Sequence, residues 1–175
     1  GFNLRIAKWT HKKGFKNHYY ISPQVWAWKE NRVIQMKRYL DALYVILPFE
    51  KLFFEEKHQF PVHFVGHPIQ DELCTYKEHR KFFEVHQLDP KTPIIALLPG
   101  SRLQEIHKML PLFIQVATHF KSFQFVIAGA PGIPSASYEP LIKNTSIKII
   151  YSDTYGLLKK SKAALVTSGT ATLET

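Results

Sequence analysis

The sequence predicts an α/β protein built on parallel sheets and divided between two units. Three observations carry this. Short apolar runs alternate with longer amphipathic stretches along the 175 residues, the pattern of strands joined by crossover helices. One run, Ile94 to Leu98, is apolar at every position, as a strand buried on both faces requires. Residues 71–92 are polar and separate two such series, so the chain divides into residues 1–70, a linker and helix over 71–92, and residues 93–175. With 45% hydrophobic and 14% aromatic residues, the composition suits a packed core rather than disorder.

Each element has its own signal. No element is assigned to residues 1–17. Tyr19 to Ser22 reads as a strand ended by Pro23, which cannot donate to a ladder. Over 29–40, Val33, Ile34, Met36 and Leu40 fall at helical spacing with bases on the other face. Residues 42–47 form an apolar run stopped by Pro48, and 49–58 predict a helix with Leu52 and Phe53 turned inward. The Phe53-Phe54 pair reads as half core, half surface. Residues 62–65 give a third strand closing at Gly66-His67-Pro68. The pattern then restarts with a charged helix over 76–86, the strand 94–98 and a helix over 105–120. Within that helix Pro111 either restarts it or kinks it. Strands at 125–128 and 147–150, a helix at 153–160 and a strand at 163–167 complete the order.

Charge is uneven. Residues 1–40 hold nine Lys/Arg against one acid, Glu30, whereas residues 41–90 hold five against nine. The basic first third suits an anionic partner such as a phosphorylated substrate, an acidic lipid surface or nucleic acid, and equally a plain solvated face. No window approaches the roughly 18 apolar residues of a membrane-spanning helix. The opening residues lack the apolar core of a secretory signal. The lone cysteine, Cys74, excludes a disulfide framework and fits a reducing compartment. Nine histidines are present, but without metal-ligand spacing, and no metal or cofactor is expected. The chain begins without Met and stops one turn after Ser168-Gly169-Thr170, so it is expected to be an internal fragment.

Three strand exits are chemically marked. After Leu97-Leu98-Pro99, Gly100 lets the backbone approach an anion, Ser101 can cap or donate, and Arg102 offers a charged fork to phosphate. An ordinary capped turn accounts for the same residues. The second exit, Ser168-Gly169-Thr170, adds main-chain donors and hydroxyls, with Glu174 placed one turn on to accept from a ribose diol. Two such turns in one unit favour a nucleotide diphosphate, and the missing Gly-x-Gly-x-x-Gly counts against NAD or FAD. The third exit places Trp26 and Trp28 after Ser22-Pro23-Gln24-Val25, as a sugar or acyl platform or as core.

Taken in order, Ser22-Pro23-Gln24-Val25-Trp26-Ala27-Trp28, Leu47-Pro48-Phe49-Glu50, Phe64-Val65-Gly66-His67-Pro68, Leu97-Leu98-Pro99-Gly100-Ser101-Arg102 and Ser168 to Glu174 resemble the lipid-A-disaccharide synthase family. That resemblance implies GT-B architecture, two Rossmann-like domains facing across a cleft, with residues 1–70 ending the acceptor-side domain and 93–175 opening the nucleotide-sugar domain. It implies an inverting transfer from UDP-2,3-diacylglucosamine to 2,3-diacylglucosamine 1-phosphate (lipid X), releasing UDP. Gly100, Ser101, Arg102, Ser168, Gly169 and Thr170 are then expected around UDP, with Glu174 on its ribose and Arg102 stabilising the leaving group. Ser22, Trp26 and Trp28 fall on the acceptor side. The basic first third faces an anionic membrane, the protein being cytoplasmic and peripheral on the inner membrane of a Gram-negative bacterium. Nucleic acid is not an expected partner, and an oligomer stays open. Members carry an acidic candidate base just upstream of Phe2-Asn3, beyond the start of this sequence, so no base is assigned and the 175 residues alone are expected to be inactive. The rivals are another UDP-sugar GT-B enzyme, epimerase-like or lipid-linked, and a basic nucleic-acid-binding module.

Overall fold

The structure, a computed structural model, describes residues 1–167, Gly169 and 171–175, with the backbone alone at Leu173 and Glu174. It divides into two compact units, Gly1–Thr75 and Tyr76–Thr175.

The first unit runs α1 (Phe2–Lys12), β1 (His18–Tyr20), α2 (Arg32–Tyr39), β2 (Ala42–Val45), α3 (Pro48–Leu52), β3 (His63–Phe64) and α4 (Pro68–Thr75). Its three strands are parallel in the order β1-β2-β3. Leu43 and Val45 of the central strand are fully buried against Val33 and Met36 of α2 and Phe54. The unassigned opening segment is the helix α1. It buries only Leu4 and Ala7 and exposes Phe2, Ile6 and Trp9, so no single apolar stripe announced it.

The helix expected over 49–58 begins at Pro48, whose fixed φ suits a first turn. It continues as a π turn over Phe53–Lys57. A π turn adds a residue to the turn and shifts which side chains face the core. Phe54 therefore goes inward, with no exposed surface, while Leu52 is 57% exposed, correcting the expectation for Leu52. Phe53 lies partly buried against the same core.

The second unit runs α5 (Phe82–Val85), β4 (Ile94–Leu98), α6 (Leu103–Ala117), β5 (Gln124–Ala128), α7 (Glu139–Ile142), β6 (Lys148–Ile150), α8 (Thr154–Lys160), β7 (Ser161–Val166) and α9 (Ala171–Glu174). Its sheet is parallel in the order β6-β5-β4-β7. Alternation along the strands divides the core between the faces. Ala96, Leu98, Val126 and Ala128 pack with Leu157 of α8 and Phe82 of α5. Leu97, Phe125 and Ile127 pack with Ile106, Leu110 and Phe113 of α6. The continuously apolar β4 lies between two strands, as its composition requires. The expected helix over 76–86 is restricted to α5. Tyr76 leaves any helical register to donate to Asp153 Oδ1 at 2.6 Å. Helix α6 runs through Pro111 without interruption.

Candidate functional site

Parallel α/β sheets offer their ligand sites beyond the carboxyl ends of the strands. In the second unit β4 and β7 are neighbours, with Leu98 opposite Val166. Thr167 extends the pairing, its amide donating to the Leu98 carbonyl at 3.0 Å. The exits after Leu98 and Val166 therefore leave the sheet side by side. Ser168 and Thr170 lie outside the described residues, as does the Glu174 side chain; the Glu174 backbone closes α9. Gly169 is exposed, with φ at +136°. Among the described residues, the Thr167 hydroxyl is buried without a hydrogen-bond partner.

The first exit is built differently from a simple serine cap. Arg102, not Ser101, is the N-cap of α6, and its own side chain is 81% exposed. Three residues on, Glu105 folds back over the helix start. Its Oε2 accepts from the amides of Ser101 at 3.0 Å and Arg102 at 3.3 Å. Its Oε1 lies 3.3 Å from the Arg102 guanidinium. A carboxylate of the chain itself thus occupies the position an anion takes against free amides and the positive end of a helix dipole. Gly100 makes room for it. A Cβ there would fall 2.5 Å from Glu105 Oε2, and φ is +116°, a region side chains avoid. Glu105 was missed in the sequence, although the spacing of Arg102 to Glu105 is that of a capping box.

A cleft of about 490 Å³ also went unpredicted. It lies at the carboxyl ends of β5 and β6, lined by residues 129–134 with Tyr151 and Ser152. Gly129 packs against the Tyr151 ring, which leaves no space for a Cβ. The buried Tyr138 hydroxyl accepts from the Ala130 amide at 3.0 Å. Burial holds the Tyr138 phenol above its usual range, partly offset by that amide.

The next exit, after β6, is anchored by Asp153. This buried carboxylate accepts from the Gly156 amide, capping α8, and from Tyr76, and meets His86 Nε2 at 3.2 Å. Burial, and then the hydrogen bond to Asp153, push the Tyr76 phenol well above its usual range. On the opposite side of the chemistry, among the described residues no three His, Cys, Asp or Glu side chains converge as a metal site.

In the first unit, Ser22 follows β1 and is buried, its hydroxyl donating to the Pro23 carbonyl at 3.0 Å. The two tryptophans take different surroundings. Trp26 is partly buried, edge-on to Phe49 at 4.9 Å, with its indole N–H buried and without a partner among the described residues. Trp28 is 57% exposed, with Lys29 Nζ 4.8 Å and the Arg32 guanidinium carbon 5.1 Å from its ring centre. Cys74 is exposed and free.

Two parallel α/β units of this kind are consistent with parts of the Rossmann-like domains of a GT-B protein. The family model described as lipid-A-disaccharide synthetase matches residues 1–175. The chain belongs to that family. It is similar to the lipid-A-disaccharide synthases of Coxiella burnetii (strain Dugway 5J108-111), at 38% identity over 99% of this chain and 47% of that protein, and Geobacter metallireducens, at 34% over 99% and 46%. It is 30% identical to that of Francisella philomiragia, over 99% of this chain and 48% of the relative. The chain thus spans about half the length of these curated relatives.

Proposed function

We propose that the chain forms part of an inverting glycosyltransferase of lipid A biosynthesis, one that joins UDP-2,3-diacylglucosamine to 2,3-diacylglucosamine 1-phosphate and releases UDP. The second unit takes the nucleotide sugar and the first unit the acceptor. Negative charge develops on the departing UDP, and fixed donors with a cation placed there lower the barrier. Arg102 and the main-chain groups at 168–170 supply them, joined by the amides at 100–102 once UDP displaces the Glu105 carboxylate that holds those of Ser101 and Arg102. Glu174 takes the ribose, and Ser22, Trp26 and Trp28 border the acceptor. The enzyme works at the cytoplasmic face of the inner membrane, where the bases of residues 1–40 meet anionic head groups.

The observation that supports this most is the β4–β7 pairing, by which the exits after Leu98 and Val166 leave the same end of the sheet side by side. Calorimetric titration with UDP tests it. UDP is expected to bind, and Arg102→Ala to weaken binding about tenfold or more through loss of a charge-assisted contact. An unchanged affinity in the variant removes Arg102 from the diphosphate.

A further inference from the structure

The second unit holds a cavity at the end of its sheet opposite the strand exits, and the proposed reaction makes no use of it. Its volume is about 380 Å³, within the roughly 300–1,000 Å³ of small-molecule sites. All of its walls come from the stretch 114–147: the end of α6, Phe123 and Phe125 at the start of β5, and the turn 144–147 before β6. The floor is apolar. Phe125 and Ile147 are buried, Ile114 and Ala117 half-buried, and Phe123 meets Phe120 edge-on with ring centres 6.4 Å apart. Three donors edge this floor. Lys121 is exposed and, among the described residues, meets no carboxylate; the side chains of Asn144 and Ser146 likewise make no hydrogen bond among them. The turn that presents Asn144 and Ser146 is fixed. The Thr145 amide donates to the Ile142 carbonyl at 2.9 Å, while the Thr145 hydroxyl donates to it at 2.8 Å and accepts from the Ile147 amide at 3.2 Å. The surroundings are cationic. Residues 106–150 carry Lys108, Lys121, Lys143 and Lys148 against one acid, Glu139 in the first turn of α7. Asp89, tied to β5 through Gln124, spends its carboxylate on the Lys91 amide and the Thr92 hydroxyl.

We propose that this cavity binds a small hydrocarbon carboxylate, its chain on the floor of Phe123, Phe125 and Ile147 and its head group on Lys121, Asn144 and Ser146. A carboxylate suits these donors better than a phosphate. One flexible ammonium gives a point charge and no planar fork, and the apolar floor makes a doubly charged group costly to desolvate. An alcohol or an amine leaves the Lys121 ammonium without a counter-charge. The site lies at the amino ends of β5 and β6, away from the exits after β4 and β7, and does not rest on the nucleotide reading.

The test is an amide chemical-shift titration of the labelled 175-residue chain with octanoate, with octan-1-ol and octylamine as comparisons. Octanoate is expected to bind best, with the largest shifts at 117–123 and 144–147. Lys121→Gln is expected to weaken it about fivefold, and Ser146→Ala less. Lys108→Gln, at an exposed lysine earlier on α6, is expected to leave it unchanged. Octanol or octylamine binding as tightly as octanoate overturns the carboxylate. Shifts centred elsewhere, no saturable binding, or equal losses in Lys121→Gln and Lys108→Gln overturn the site. Octanoate and UDP are expected to bind together, and competition between them overturns a separate site. A chain that binds octanoate but not UDP contradicts the diphosphate reading of the second unit and leaves this one supported.

Discussion

Glu105 is the residue around which the exit after β4 is built. Its carboxylate satisfies two amides and faces Arg102, so the exit after β4 is shaped around a negative group from its own chain. A diphosphate approaching those amides meets like charge. Glu105→Gln keeps an acceptor while removing the charge, and UDP is expected to bind a few-fold tighter by calorimetry, at the scale of screened surface electrostatics; weaker binding contradicts the competition. Gly100→Ala is the harsher change. The added Cβ meets Glu105 at 2.5–2.6 Å and φ stays at +116°, so the variant is expected to lose about 1–3 kcal/mol in denaturant melts, from backbone strain, and to bind UDP more weakly. Gly100, Ser101 and Arg102 read in the sequence either as an anion-suited exit or as an ordinary capped turn, and the structure shows a capped turn there, closed by Glu105. Ser101 as cap was not borne out, since sequence alone did not tell which residue would close the turn.

At the scale of elements, the exit after β6 is held by one buried carboxylate. Asp153 caps α8 and accepts from Tyr76, seventy-seven positions away. Asp153→Ala removes the cap and orphans a buried phenol, and is expected to cost about 2–4 kcal/mol in chemical denaturation. A pH dependence follows with a defined sign. The Tyr76 phenol is raised in the folded state, so it favours folding fully below its unfolded value of about 10. That contribution is lost as pH rises through the higher folded value. Thermal melts are expected to fall as pH rises above about 10, and Tyr76→Phe to flatten that fall while lowering stability at pH 8. Strands were the most legible elements here, since an all-apolar run such as Ile94 to Leu98 admits few alternatives. The helices were less so. The π turn at Phe53–Lys57 moved Leu52 out and Phe54 in, and the Tyr76–Asp153 bond drew the segment after Thr75 away from the helix its spacing suggested. Both are tertiary effects that local periodicity does not carry.

At the scale of the molecule, a net charge of +9, with nine of 23 Lys/Arg against one acid in residues 1–40, makes attraction to anionic bilayers an expected property of the whole chain. Co-sedimentation with phosphatidylglycerol-containing vesicles is expected to fall steeply between about 50 and 300 mM salt as screening shortens, and neutral vesicles to retain little. None of the helices among the described residues is long and apolar enough to cross a membrane. The alternation of strands and helices made the parallel α/β architecture legible from the start. What periodicity could not supply was the neighbourhood of β7 and β4, because strand order depends on long-range pairing. That neighbourhood is also what the proposed function leans on. Amide chemical-shift mapping of the isotopically labelled chain with UDP tests it most directly: the account predicts the largest shifts at Gly100, Ser101, Arg102, Thr167 and Gly169, whereas shifts centred on the first unit, with those five signals unmoved, contradict it.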